Sequence, residues 1–236
     1  TMTTIARSWL GAIGVVLLVV GGGVPGKAQA PASAVIVDAA SPTAPMSKYI
    51  YGQFIEHLGR CIYGGIWAEM LEDRKFFYPV AEGESPWTIL GEPRSTAMTT
   101  SMAFAGEHSP EFEVDGTSKP AGIGQAGLGV VAGARYTGRV VLAGNGAAGP
   151  IEVSLVWGPG PSNRQTITIR SFDDRYRPYP IAFTAGAASD DARLEITGRG
   201  KGRFRLGTVS LMPADNVEGF RPDVLTFAGA ALAVAG

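Results

Sequence analysis

Short runs in which apolar and polar residues alternate fill the middle of the chain. Apolar Ile151, Val153 and Leu155 alternate with Glu152 and Ser154. A period of two residues places successive side chains on opposite faces of a strand. Turn residues separate the runs, and no helical period lies between them, which predicts an antiparallel β-sandwich of jelly-roll type over residues 86–212. Further strands are expected near Ser101–Ala105, Arg135–Ala143, Gln165–Ile169, Ile181–Ala185, Arg193–Thr197 and Arg203–Leu211.

The pattern before the sandwich, over residues 31–85, is different. Ala34–Asp38 predicts a short strand, and the apolar run that ends at Glu56 predicts a second one. A helix is expected from Ile66 to about Lys75, because Ile66, Trp67, Met70 and Leu71 fall on one helical face. On such a helix Glu69, Glu72 and Asp73 would form a solvated face rather than a functional carboxylate pair.

The first thirty residues have the pattern of an export signal. Arg7 precedes an apolar run over Leu10–Val20 that is shorter than a bilayer requires, and Ala28-Gln29-Ala30 resembles a signal-peptidase site. We therefore predict a signal peptide over residues 1–30, a secreted or periplasmic protein, and no stable membrane partner after cleavage. An uncleaved membrane anchor is the alternative.

Composition narrows the choice of partners. Lys and Arg number 20 against 21 Asp and Glu, a net charge of −1 with no basic stripe, so a nucleic-acid partner is not expected. Cys61 is the only cysteine, which rules out an intramolecular disulfide; we expect a small buried thiol rather than a nucleophile.

Two blocks carry a family resemblance. YIYGQFIEHLGRCIYGGIWAEMLEDRKFF, Tyr49–Phe77, and SLMPADNVEGFRPDVL, Ser210–Leu225, resemble the α-L-arabinofuranosidases of glycoside hydrolase family 51. The resemblance implies that the first block holds strand one of a (β/α)8 barrel and that the second enters its first helix. The sandwich would then be inserted between them into an incomplete barrel, with residues 213–236 forming the helix start and an aberrant tail.

The same resemblance assigns a role to Glu56, at the end of the predicted first barrel strand. It implies that Glu56 contacts the bound arabinose. We expect His57 and Arg60 to be supporting neighbours, with His57 a hydrogen-bond partner rather than a catalyst because glycosidases use carboxylates. Without the resemblance, an exposed or ion-paired carboxylate, paired for instance with Arg60, is the simpler interpretation.

The resemblance also implies a reaction, the retaining hydrolysis of terminal α-L-arabinofuranosyl residues with release of L-arabinose. Retention needs two carboxyl groups about 5 Å apart, as nucleophile and acid/base. In the family both glutamates lie on later barrel strands, and no residue here corresponds to either, so the chain alone is expected to be inactive. We interpret it as a truncated or frame-shifted reading of a longer secreted enzyme, with a natural short protein as the alternative.

Aromatic residues of the sandwich are candidates for contact with sugar rings. They are Trp87, Tyr136, Tyr176 and Tyr179, whereas Trp157 alternates with core positions and is expected in the core. The module loosely resembles the galactose-binding-like sandwiches, with arabinose-containing polysaccharides or oligosaccharides as the expected partners. A stand-alone sugar-binding protein and a scaffold without a ligand are the alternatives.

Two motifs bear on cofactors. Gly122–Gly127 matches G-x-G-x-x-G, but β-type sequence follows it where the dinucleotide fingerprint needs a helix, so we interpret it as a strand and expect no cofactor. The pairs Asp173-Asp174 and Asp190-Asp191 are expected in turns, where they are candidates for a structural calcium site as well as ordinary turn residues.

Overall fold

The computed structural model describes residues 62, 65–116 and 119–226. All the described residues belong to one compact unit. Ten strands follow one another among the described residues: β1 (Thr88–Leu90), β2 (Ser95–Thr99), β3 (Ser109–Asp115), β4 (Ala121–Val130), β5 (Arg135–Gly144), β6 (Ile151–Val156), β7 (Arg164–Ile169), β8 (Arg177–Thr184), β9 (Ser189–Gly198) and β10 (Lys201–Pro213).

The strands form two five-stranded antiparallel sheets. The first sheet has the order β1-β4-β9-β6-β7, and the second has the order β2-β3-β10-β5-β8. The prediction of a mainly β antiparallel sandwich is therefore confirmed. Gly122–Gly127 lies within β4, as its interpretation as a strand required.

The core lies between the two sheets. Ile151, Val153 and Leu155 are fully buried, because the two-residue period directs all three toward the same face of β6. In the second sheet Phe112 and Phe204 sit opposite each other in register, with stacked rings whose centroids are 5.2 Å apart. Trp157 packs against this core from its edge and is only half-buried.

Strand β10 is long enough to change partners on one side. Its first half pairs with β3 from Lys201 to Arg205. A bulge between Leu206 and Thr208 then shifts the register of its pairing with β5. Beyond the bulge, residues 69–75 take the place of β3: Met70 N donates to Leu211 O at 2.9 Å, and Val209 N donates to Arg74 O at 3.0 Å.

The helix predicted over Ile66–Lys75 is wrong. These residues, all described, adopt an extended and turning path, because their N–H groups donate to neighbouring segments instead of to carbonyls four residues back. Ala68 N donates to Gly219 O at 2.8 Å, and Trp67 forms a β-bridge with Phe220.

Two further local predictions need correction. Ser101–Ala105 is a loop rather than a strand, and Asp190-Asp191 lies inside β9 rather than in a turn. Within the predicted helix start after residue 213, only residues 222–226 form a helical turn, and it begins at Pro222. In the part of the chain that the structure describes, no helix is long and apolar enough to cross a membrane.

Candidate functional site

The outer face of the second sheet carries rows of opposite charge on two neighbouring strands. Glu111, Glu113 and Asp115 alternate with the core residues of β3, and Lys201, Arg203 and Arg205 do the same on β10. The antiparallel register sets these residues opposite one another as three pairs: Glu111 with Arg205, Glu113 with Arg203, and Asp115 with Lys201. Opposite charges in this arrangement stabilise the pairing of the strands.

Glu113 is the centre of the exposed part of these rows. Its carboxylate accepts from Arg203 Nη2 at 2.8 Å and lies 3.5 Å from Arg94 Nη1. The hydrogen bond from Arg203 holds the pKa of Glu113 below its usual value, with a smaller contribution from Arg94. Ionised Glu113 therefore contributes to the stability of the fold at pH values above its ordinary pKa. This contribution is lost as the pH falls from that value through the lowered pKa.

Arg205 is the buried member of the rows, with 6% of its surface exposed. Its Nη1 lies 3.2 Å from Glu111 Oε2, and its Nη2 donates to the carbonyl oxygen of Asp174 at 3.2 Å. The guanidinium carbon lies 5.9 Å from the centroid of the Tyr176 ring, within cation–π range. The position of the Arg205 guanidinium is therefore fixed by Glu111 on β3, by the Asp174 carbonyl and by the Tyr176 ring.

Two loops beside this face, β2–β3 and β7–β8, each place an aromatic ring next to it. Phe104 lies on Gly207, where a Cβ atom would be only 2.6 Å from Phe104 Cγ, so only glycine leaves room for the ring. The rings of Phe104 and Tyr176 are 5.2 Å apart, and the Tyr176 hydroxyl donates to Met102 O at 2.8 Å. Phe104 remains 45% exposed.

Together these elements enclose a groove of about 510 Å³, which we call the charged groove. Met102, Asp174 and the charged residues of β3 and β10 line it, and Tyr176 contacts two of its lining residues, Met102 and Arg205. Aromatic rings beside paired charged groups can bind a ligand with both apolar faces and hydroxyl groups. Among the described residues, no group of three or more His, Cys, Asp or Glu side chains could hold a metal ion.

The acidic pair Asp173-Asp174 gives the calcium hypothesis no support. Asp173 pairs with Arg177 at 3.1 Å, and Asp174 Oδ1 lies 3.6 Å from Arg205 Nη2. The hydrogen bond from Arg177 lowers the pKa of Asp173. Both carboxylates are therefore used in ion pairs with arginines.

Removing Arg203 tests the charge pairing in the groove. We expect Arg203→Gln to raise the pKa of Glu113 toward its ordinary value, because the strongest donor to the carboxylate is lost. An NMR pH titration of the Glu113 side-chain carboxyl measures this change. Arg193→Gln is the matched control, since Arg193 pairs with Glu195 on the first sheet; an unchanged Glu113 pKa in Arg203→Gln would contradict the assignment.

The residues predicted to contact a sugar differ in burial and in their distance from the charged groove. Trp87 is fully buried and Tyr136 is 4% exposed, so neither ring presents a face to a ligand, and both assignments are corrected. Tyr179 packs against the core and is half-buried. Tyr176 alone among the four lies beside the charged groove, whereas Glu56, His57 and Arg60 lie outside the described residues.

Sequence reasoning missed Glu111 and Arg205, which line the groove, and Phe104, whose ring contacts Tyr176 beside it. A signal for two of them was present, because EFEVD and KGRFRL place acidic residues on one strand and basic residues on another with the same two-residue period. Phe104 gave no such signal, since its place depends on the missing side chain at Gly207.

Two known proteins that are similar in sequence to this chain are much longer than it. "Alpha-L-arabinofuranosidase 2" of Arabidopsis thaliana is 27% identical over 216 residues, which cover 80% of this chain and 31% of the relative. "Alpha-L-arabinofuranosidase 1" of the same plant is 26% identical over 217 residues, covering 82% and 31%. The chain thus spans about a third of the length of these curated relatives, and no family model matches it.

Solved structures with a similar fold include two carbohydrate-binding modules. A family 61 module in complex with β-1,4-galactotriose has a TM-score of 0.43 and 14% identity, and the match covers 61% of this chain and 98% of the module. A family 22 xylan-binding domain from Paenibacillus barcinonensis has a TM-score of 0.45 and 12% identity, with coverage of 64% and 98%. Neither likeness bears on the ligand of this chain.

Proposed function

We propose that this chain is the N-terminal portion of a secreted α-L-arabinofuranosidase and that its β-sandwich binds the arabinose-containing polysaccharide on which such an enzyme acts. The alignment with the two plant arabinofuranosidases supports the first part, since it runs through four-fifths of the chain. The charged groove supports the second part. Glu56 remains the proposed arabinose contact of the intact enzyme.

The observation that carries the binding proposal is the pairing of Phe104 and Tyr176 above the rows of charge. A sugar ring has apolar C–H faces that pack on aromatic rings and a perimeter of hydroxyls that donate and accept hydrogen bonds. Glu113 and Arg203 supply an acceptor and donors on the exposed part of the groove, and both are held in place by their ion pair. The groove therefore offers both kinds of contact in a preformed arrangement.

An inserted sandwich is also part of the proposal. The segments that enter and leave the sandwich meet, because Trp67 bridges Phe220 and Arg221 N donates to Ile66 O at 3.0 Å. The rings of Trp67 and Phe220 form an edge-to-face contact at 5.4 Å. Adjacent entry and exit segments are what insertion of one domain into another requires.

Replacing the two aromatic rings beside the charged groove tests the binding proposal. We expect Phe104→Ala and Tyr176→Ala each to weaken binding of arabinoxylan oligosaccharides by about tenfold, the loss expected for one aromatic contact. Calorimetric titration measures the affinity, and Ile89→Ala is the control because Ile89 is exposed to a similar degree on the first sheet. Unchanged affinity in both groove variants would place the sugar site elsewhere.

An activity assay tests the proposed inactivity of this chain on its own. We expect no release of aryl alcohol from an aryl α-L-arabinofuranoside by this chain, because no residue corresponds to the catalytic glutamates of the family. Hydrolysis would overturn the proposed inactivity. Sugar binding by a protein that is physiologically complete at this length would instead favour the non-catalytic alternative.

A further inference from the structure

The charged groove has as many acidic as basic side chains. Four carboxylates and four cations line it: Glu111, Glu113, Asp115, Asp174, Arg94, Lys201, Arg203 and Arg205. A surface that binds an anionic ligand has an excess of cations whose N–H groups can reach the ligand. Here the charges also balance locally, because the strand register and the ion pairs set each cation beside a carboxylate.

Glu113 lies between the two most exposed arginines of the groove. Arg203 donates to Glu113 Oε2 from Nη2 at 2.8 Å and from Nε at 3.1 Å, and Arg94 Nη1 lies 3.5 Å from Oε1. The side chains of Arg94 and Arg203 are 67% and 60% exposed, whereas Arg205 is buried. Arg94 and Arg203 are therefore the arginines that a ligand can reach, and both already share one carboxylate.

An acidic sugar would have to displace the Glu113 carboxylate in order to pair with these arginines. A carboxylate that moves from water into the groove loses hydration, and only a cation without a carboxylate partner can offset that cost. The hydroxyls of a neutral sugar have no such requirement. They can donate to the remaining lone pairs of a carboxylate and accept from the remaining N–H groups of an arginine, which has five donors.

We propose that the charged groove selects neutral saccharides over those that carry a uronic acid, and that Glu113 determines this selectivity by acting as a built-in anion between Arg94 and Arg203. The selectivity rests on the proposed function, since it concerns the same groove and the same class of ligand. Specificity of this kind comes from rejection of the wrong ligand as much as from contacts with the right one. Arabinose is neutral, so arabinose-substituted regions of a polysaccharide bind, whereas regions rich in uronic acid do not.

Two ligands that differ only in one carboxyl group test this proposal. The first is an arabinoxylan oligosaccharide that carries a glucuronic acid, and the second is the same oligosaccharide after reduction of that carboxyl group to an alcohol. In calorimetric titrations we expect the wild-type chain to bind the reduced form about tenfold more tightly than the acidic form. Glu113→Gln should remove this preference, because it takes away the charge that competes with the ligand for Arg94 and Arg203.

Glu195→Gln is the matched control for this experiment. Glu195 also lies between two arginines, Arg164 and Arg193, but it is on the first sheet. Its substitution changes the net charge by the same amount, and we expect the wild-type preference to remain. Glu113→Gln should keep the fold, because glutamine is similar in size and its oxygen can still accept from Arg203; circular dichroism checks this.

The outcomes separate the selectivity from the proposed function. Equal affinity of the wild-type chain for the two ligands would overturn the selectivity and leave the charged groove as a sugar site, and this result needs no variant. A wild-type preference that Glu113→Gln leaves unchanged, or that Glu195→Gln also removes, would overturn the role of Glu113. Failure of the wild-type chain to bind either ligand would overturn the proposed sugar binding and the selectivity together.

Discussion

Trp87→Ala is expected to lower the free energy of unfolding by about 4 kcal/mol, the loss typical of a large aromatic ring removed from a core. The Trp87 side chain is fully buried, and its ring centroid lies 5.3 Å from that of Phe76. Its indole N–H also donates to the carbonyl of Asp73, so the substitution leaves a cavity and removes one of the two hydrogen bonds that this carbonyl accepts, the other coming from Phe76 N. Chemical denaturation followed by circular dichroism measures the change.

Trp87→Phe is the matched variant for this experiment. It keeps an aromatic ring in the core but loses the indole N–H, so we expect a loss of about 2 kcal/mol. The folded fraction of each variant should bind sugar as the wild type does, because Trp87 has no exposed surface. A Trp87→Ala protein of normal stability with lost sugar affinity would restore Trp87 as a sugar contact.

The sandwich could be predicted because its strands have one buried and one solvated face. Residues 151–156, 164–169 and 201–213 became strands near their expected positions, since alternation of apolar and polar residues is a local signal. The charged rows on β3 and β10 follow from the same alternation. Their pairing required the register, which joins residues about 90 positions apart in sequence, such as Glu113 and Arg203.

The helix error has a definite physical cause. Apolar residues at helical spacing around Trp67 and Met70 satisfy a helix pattern, but β10 extends beyond β3 and leaves one edge of Val209 and Leu211 without a partner. Residues 69–75 fill that edge along an extended and turning path. Tertiary context of this kind overrides local propensity, and no short window of sequence contains it.

Burial determines which of the candidate aromatic rings a ligand can contact. Trp87 and Tyr136 have rings suited to a sugar, but both point into the core, where the Tyr136 hydroxyl accepts from Val131 N at 2.8 Å. Tyr176 differs because its loop passes over the outer face of the second sheet. The sequence identifies the rings, whereas the path of each loop determines which ring a ligand can reach.

The same misassigned segment gives the second large prediction, because it buries a carboxylate that was expected to face solvent. The Glu69 side chain has no exposed surface, and its oxygens accept from Ser210 Oγ at 2.7 Å, Leu211 N at 2.9 Å and Leu71 N at 3.2 Å. Arg74 Nη1 lies 3.9 Å away and gives partial charge compensation. Glu69 therefore fastens residues 67–75 to the second half of β10.

We expect Glu69→Ala to lower the free energy of unfolding by about 3 kcal/mol, because it leaves buried donors on three residues without an acceptor. Faster hydrogen exchange at the amides of Met70 and Val209 should accompany the loss, since their bonds join the segment to β10. Denaturant titration and amide exchange measure the two effects.

Glu69→Gln separates hydrogen bonding from charge. The glutamine oxygen can accept from the two backbone amides while its NH2 group donates to the Ser210 hydroxyl, so we expect a loss of only about 1 kcal/mol. Exposed Glu82→Ala, in the turn over residues 79–85, is the control for removal of a carboxylate. If Glu69→Gln destabilises the protein as much as Glu69→Ala, the negative charge rather than the hydrogen-bond geometry holds the segment, and the ion pair with Arg74 is stronger than its 3.9 Å separation indicates.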